Sequence, residues 1–452
     1  MDWTCLGHAM WIAEVGETRL LFDPLLGEDH HGGVFRVQPL RRVHVEALRP
    51  DIIVVSHRHG DHFDVPSLHT LARAYPGATV LTADQHVGWA AEQLGFAEVE
   101  VLPVGHEVDL GEATLVTTPS VSPIEWGVMV GSAEGVVWNQ IDSVIPTAER
   151  AGTIARALCG HLGAPGVTLS LSRWNPLLEI AAPLNRRTDF PRPDYGHILE
   201  QIVAVAPRCL VPSSVGGAHT AAFEWMDRYV YPVSEARFLD DLGVVAPDIE
   251  GLPHVTGGRY AVRGHRVAFD PTGGAELVTV EPTPDPRTFR PLAIPPLDDP
   301  NPEDRDEAEM RRVVNDWIVE ALDPALRDAW PSFEVDRPLR FGVEVTWPSG
   351  PAGVTIVAGP TGSTCSEGLD PDWDTLNAVA GSMLAEVVEG RRHWGDVLLA
   401  GALRTANRTY RRRPGGLDAA KVPDTFLYLA LPYATSEIRA LRHAVTTALG
   451  RS

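Results

Sequence analysis

Short apolar runs and helical stripes take turns along the first 280 residues. The runs 18–23 (TRLLFD), 51–55 (DIIVV) and 79–82 (TVLT) are short, apolar and bounded by polar residues, so they predict strands. Residues 68–75 and 87–94 place apolar side chains at helical spacing and predict helices between them. Three more strands follow at 113–118 (ATLVTT), 127–131 (GVMVG) and 135–138 (GVVW). Strand-rich stretches interleaved with helices predict an α/β fold of the layered sandwich kind.

The pattern breaks between Glu281 and Pro302, where eight prolines fall. Proline removes a backbone donor and fixes φ, so this stretch can be neither a central strand nor a helix and reads as a stiff linker at 281–304. It divides a domain at 1–280 from a smaller α+β domain at 305–452. In the latter, Met310, Val313, Val314, Trp317, Ile318, Ala321 and Leu322 form an amphipathic helical stripe. Residues 340–347 and 353–358 read as a hairpin, 373–389 as a helix ending at Gly390, 425–431 (TFLYLAL) as a strand and 436–449 as a last helix.

Composition narrows the function. With 452 residues, 44% hydrophobic and 22% charged, the chain is globular and long enough for two or three domains. A formal charge of -22 would repel a phosphate backbone, which argues against a nucleic-acid partner. No apolar run reaches membrane-spanning length, and Asp2 and Glu14 sit where a leader would be basic, so the expected location is the cytoplasm. Cys5, Cys159, Cys209 and Cys365 form no C-x-x-C pair, which fits a reducing compartment and excludes a zinc ribbon.

The chemistry is concentrated in Ser56-His57-Arg58-His59-Gly60-Asp61-His62, directly after the strand 51–55. Four donors in six residues converge only if the chain turns sharply, for which Gly60 is suited. Imidazoles at i and i+2 leave an extended segment on the same side, so His57 and His59 are suited to one ion and Asp61 and His62 to a second.

This motif matches the H-x-H-x-D-H signature of the metallo-β-lactamase superfamily, and the likeness extends over most of residues 1–230. The resemblance implies a metallo-β-lactamase-type αββα sandwich and a dinuclear centre. It makes Asp142, in Asn139-Gln140-Ile141-Asp142, the aspartate that bridges the metals, and it gives Asp61 and Asp142 catalytic roles. His8, in Leu6-Gly7-His8-Ala9, resembles the opening segment of the lactonase-like branch, and a packing role is preferred for it over ligation. Hydrolytic members carry a third histidine in T-P-G-H-S-P-G; here 118–127 reads T-P-S-V-S-P-I-E-W-G, with Val121 in that place. Glu125 is the nearest substitute, and a carboxylate there suits iron or manganese better than zinc. The histidine that closes the second site is His219 or, failing that, His197; His30, His31 and His393 are read as structural.

Within the superfamily the chain is similar to CMP-N-acetylneuraminate hydroxylase and to the nonheme diiron monooxygenase of platensimycin and platencin biosynthesis. The features are Asp23-Pro24, Gly32-Gly33, Pro39-Leu40, the motif through Phe63-Asp64, the 139–142 turn and the segment 225–239 with Tyr231-Pro232 and Arg237-Phe238. This branch implies two irons, dioxygen and an external electron donor, acting on an apolar or acyl-thioester small molecule such as a diterpenoid in secondary metabolism. The residues 174–193 are then a candidate lid, and the C-terminal domain distantly resembles a sterol-carrier-type module. The alternative is a dinuclear zinc or manganese hydrolase of a lactone, thioester or phosphodiester, in which Asp61 orients a metal-bound hydroxide.

Overall fold

The computed structural model describes residues 1–214, 216–227, 232–281 and 294–450. Much of the proline-rich stretch and Tyr231 therefore lie outside the described residues. No helix among those described is long and apolar enough to cross a membrane.

Two sheets face each other. One has eight strands in the order Arg266–Asp270, Arg259–Arg263, Asp2–Gly7, Met10–Val15, Thr18–Phe22, Ile52–Val55, Thr79–Thr82 and Glu98–Val101. The other has seven, running Glu107–Asp109, Ala113–Thr118, Gly127–Ser132, Gly135–Asn139, Leu169–Ser172, Cys209–Pro212 and Glu250–Gly251. Trp3, Trp11, Phe22, Trp126, Val128 and Val137 interdigitate between them, all buried. Because the central strands are covered on both faces, they read as unbroken apolar runs rather than as alternation.

Helices cover both outer faces, which makes the αββα sandwich. Val65–Ala74 and Gln85–Leu94 lie on the first sheet over Ile53, Val55 and Val80. Asp64 and Asp84 cap their N-termini, accepting from Ser67 N and His86 N. Ala148–His161, Arg192–Val205 and Glu235–Val245 cover the second sheet.

Each sheet changes from antiparallel hairpins to parallel pairing at its centre. Thr18–Phe22, Ile52–Val55 and Thr79–Thr82 run parallel, as do Gly135–Asn139, Leu169–Ser172 and Cys209–Pro212. The loops after these parallel strands all open at one edge, which is where open α/β sheets place ligands.

A third, five-stranded sheet orders Gly362–Glu367, Gly350–Gly359, Leu339–Trp347, Thr375–Ala380 and Leu403–Asn407. Helices Glu307–Trp317, Asp323–Ala329 and Gly381–Glu389 surround its core of Phe341, Val343, Ile356, Leu384 and Trp394. Two expectations fail here. Residues 375–380 form a strand, not the first half of a helix: Thr375, Asn377 and Val379 alternate inward at period two, beside the central strand. Residues 425–431 turn through a 3-10 helix at Phe426–Leu429, since Phe426 and Leu427 bury together and Pro423 and Pro432 close both ends.

The N-terminal and C-terminal parts interlock. Val34 and Phe35 of the 29–37 loop enter the C-terminal core. The last helix, Tyr433–Ala448, returns to lie on the first domain, with Val445 buried and Leu441, Ala444 and Ala448 packed against the cluster under Leu68 and Val87.

Candidate metal centre

The buried strand Ile52–Val55 delivers the motif to the open sheet edge, and its neighbour Thr18–Phe22 delivers Asp23 beside it. Asp23 is fully buried and holds a left-handed φ of 41°. Its carboxylate accepts from Ser56 N at 2.8 Å, Ser56 Oγ at 3.0 Å and His62 Nδ1 at 2.9 Å. That fixes the His62 tautomer and aims Nε2 inward, to 3.2 Å from Asp142 Oδ2 and 3.3 Å from Asp61 Oδ2. His62 Nε2 is buried and has no directed hydrogen bond.

His57 is oriented the same way, its Nδ1 paired with Ser56 Oγ at 2.9 Å. Its Nε2 lies 2.8 Å from His59 Nδ1. Asp142 arrives from the second sheet on the turn after Gly135–Asn139, where Ile141 takes a φ of 54°. Ser214, after Cys209–Pro212, donates its hydroxyl to Asp142 Oδ1 at 3.1 Å. His57, His59 and Asp142 bring their donor atoms within 4.8 Å of one another, and so do His8, Asp61 and His62.

The electrostatics match a cation-binding set. Burial holds His57 well below its ordinary pKa, with His62 and His59 adding to the effect. Burial would lower His62 too, but the carboxylates of Asp61, Asp142 and Asp23 hold it well above its usual range. Burial likewise opposes ionisation of Asp61 and Asp142, yet His62 keeps both below the usual carboxylate range. The carboxylates of Asp61, Asp142 and Asp396, all held below their usual range, outnumber the two imidazoles held above theirs, His62 and His31, and a buried negative pocket of this kind is stabilised by bound cations.

The residues therefore fit a pair of metal ions. An orphaned imidazole nitrogen, two imidazoles nose to nose and anchoring groups behind His57 and His62 are the features of a ligand set with its supporting shell. Mixed nitrogen and oxygen donors without thiolate suit iron, manganese or zinc.

The structure places several of the expected residues differently from the sequence reading. His219, in strand Gly217–His219, has both ring nitrogens engaged, Nδ1 with Asp227 Oδ1 at 2.6 Å and Nε2 with Leu399 O at 2.9 Å, and it packs on Phe35. His197, on helix Arg192–Val205, pairs with Gln201 at 2.8 Å. Neither belongs to the converging groups; pairing with strand Phe35–Val37 turns His219 toward the C-terminal core. His8 stands at the second site instead, its Nε2 3.1 Å from Asp61 Oδ2, because a bulge between Cys5 and Gly7 and a φ of 52° swing it off the strand. Gly60 shows no positive φ; its missing side chain makes room for His31, whose Nδ1 would lie 2.9 Å from a Cβ there.

Val121 is 58% exposed and takes no part. Glu125 is 8% exposed and accepts from Ser120 Oγ at 2.5 Å. Burial raises its pKa, with Asp142 adding to the effect and Ser120 and His62 opposing it, and it lies outside the converging groups.

Sequence reasoning also passed over His30, His31, His393 and Asp396. His31 Nε2 lies 3.3 Å from Asp61 Oδ1, and its Nδ1 lies 3.1 Å from Asp396 Oδ1. The available signals were the spacing of His393 and Asp396, one helical turn apart, and the adjacency of His30-His31 to Gly32-Gly33. A cavity of about 340 Å³ opens over the centre, walled by Phe35, Leu177, Ile180, Leu398, Leu399 and Tyr433. Both domains contribute to it.

Comparison with known proteins locates a family match in the first domain. Residues 3–139 match the family model described as beta-lactamase superfamily domain. Over 156 residues the chain is 27% identical to cytidine monophosphate-N-acetylneuraminic acid hydroxylase of Mus musculus, covering 32% of this chain and 27% of that protein. It is 32% identical over 129 residues to a UPF0173 metal-dependent hydrolase of Opitutus terrae, covering 28% of this chain and 51% of the relative. Among solved structures it is similar to CmlA, a diiron beta-hydroxylase from Streptomyces venezuelae, with a TM-score of 0.41 at 18% identity, covering 58% of this chain and 54% of that one.

Proposed function

We propose that this chain, which carries a beta-lactamase superfamily domain at residues 3–139, is a nonheme diiron monooxygenase that hydroxylates an apolar or acyl-thioester small molecule. The observation that supports this reading best is the 118–127 loop. It turns Val121 to solvent and buries Glu125, whose carboxyl is influenced by Asp142 and His62, which supports reading Glu125 as the oxygen donor in place of a zinc hydrolase's third imidazole. The likeness to the hydroxylase of Mus musculus adds to it.

His57, His59, Asp142 and Glu125 would hold one ion, and His8, Asp61, His62 and the shared Asp142 the other. When bound, two irons with an external electron donor supply the activation of dioxygen. The chain's own part is to bind, orient and dry the substrate. Phe35, Leu177, Ile180, Leu398 and Leu399 give the cavity walls that take an apolar body and exclude water. His30 lines the same cavity with neither ring nitrogen partnered among the described residues, so it offers one donor and one acceptor to a substrate carbonyl or hydroxyl. Glu179, pushed up to about 7 by burial and by Asp61 and Asp142, can hold or release a proton at the cavity wall.

The second reading, a zinc or manganese hydrolase, draws on the likeness to the metal-dependent hydrolase of Opitutus terrae. Metal analysis with optical spectroscopy separates the two. Two irons per chain, with absorption that changes when the reduced protein meets oxygen, is the expected result. Two zincs, with turnover of a lactone or phosphodiester in the absence of oxygen, would overturn it.

A further inference from the structure

Asp61 is gripped from three sides. His8 Nε2 and His62 Nε2 face its Oδ2 at 3.1 and 3.3 Å, while His31 Nε2 faces its Oδ1 at 3.3 Å. His31 in turn meets Asp396 Oδ1 through Nδ1 at 3.1 Å, and Asp396 belongs to helix Trp394–Leu399 of the C-terminal domain. His393 Nε2 reaches the same oxygen at 3.1 Å, so Asp396 is itself held. Both His31 and Asp396 are buried, with side chains 8% and 7% exposed.

Two independent observations show that the fold is arranged around this contact. A Cβ at Gly60 would sit 2.9 Å from His31 Nδ1 and 3.2 Å from its Cε1, so the glycine inside the metal motif admits the ring from the other loop. The C-terminal domain also holds both partners of that contact. Arg392 Nη2 donates to Gly32 O at 3.2 Å, and Glu437 of the last helix pairs with Arg58 of the motif at 3.2 Å.

We infer that His31 and Asp396 are positioning residues for Asp61, so that the second metal site is completed by the C-terminal domain. The inference rests on Asp61 being a metal ligand. A ligating carboxylate must present one oxygen to the ion with its plane fixed. His31 Nε2–H donating to Oδ1 fixes that plane and leaves Oδ2 for the ion; Asp396, accepting from Nδ1–H, holds His31 in the orientation that can donate. The proposed first site of His57, His59, Asp142 and Glu125 has no residue in contact with His31 or Asp396 through this chain of contacts.

The test is a stepwise titration of the full-length metal-free chain with cobalt(II), whose visible absorption reports each coordination event. Unmutated protein should take two ions. Asp396→Asn should leave the first affinity unchanged and weaken the second by about 10–100-fold. A purely architectural role would not confine the loss to one ion. Gly60→Ala, which displaces His31 without touching the C-terminal domain, should produce the same selective loss, and it serves if Asp396→Asn does not fold. Equal second affinities in folded Asp396→Asn and unmutated protein would overturn the inference alone. So would a third cobalt ion that Asp396→Asn removes, because His31, His393 and Asp396, whose donor atoms lie within 4.8 Å, would then be ligands themselves. Failure of the unmutated chain to bind any ion would remove the metal reading and this inference together.

Discussion

Replacing Asp23 with asparagine probes how the centre holds its imidazoles without touching a proposed ligand. Asp23 is fully buried and accepts three hydrogen bonds, from Ser56 N, Ser56 Oγ and His62 Nδ1. Asparagine keeps one acceptor oxygen, sufficient for the Ser56 backbone, and turns an amide N–H toward the imidazole. His62 then favours the tautomer with its proton on Nε2, the atom that faces Asp61 and Asp142. Binding a metal at Nε2 would force Nδ1–H against the amide. One hydrogen bond to a charged group is thereby lost, about 1.5–3 kcal/mol. At about 1.4 kcal/mol per decade, that is roughly 10–100-fold in affinity for the ion held by His62. The metal-free protein should lose less, because burial already opposes the Asp23 charge and the amide relieves that cost. Competition against a chelator of known affinity measures the first quantity, and urea unfolding of the metal-free chain the second. Asp23→Asn protein that folds and retains both ions within about twofold of the unmutated affinities would refute the reasoning.

Two further predictions follow from packing and from the loop at 118–127. Trp394→Ala removes a fully buried ring whose Nε1 donates to Leu431 O at 2.8 Å, and should cost about 3–5 kcal/mol in urea unfolding. Since Trp394 opens the helix that carries Asp396, a loss below about 1 kcal/mol would show that this helix is not set by the core. Glu125→Ala should lower the iron content from two toward one per chain, and unchanged content would remove Glu125 from the ligand set.

The sandwich was legible because its central strands are buried on both faces and therefore stand out as apolar runs, as at 51–55 and 135–138. The histidine motif was legible because it is local: His57 to His62 need only one strand end. Residues 375–380 were misread because Leu376, Ala378 and Ala380 favour helices, whereas parallel pairing with Leu339–Trp347 decides their state. His8 and His31 were read as packing or structural residues, and Asp396 was not singled out, for a different reason. They come from a bulged hairpin, an irregular loop and a helix 365 residues beyond His31, and only tertiary packing brings them to Asp61. His219 had the right strand-end context, but its pairing with Phe35–Val37 turns it the wrong way.

The last helix has a bearing on how the polypeptide is made. Leu441, Ala444, Val445 and Ala448 cover the outer surface of Val65–Ala74 and Gln85–Leu94, which leave the ribosome hundreds of residues earlier. Throughout that interval the nascent first domain lacks the helix that covers this apolar strip. Synthesis from the amino end therefore leaves it exposed to self-association until the final turns emerge, and clipping even this terminal helix would return the mature protein to that vulnerable condition.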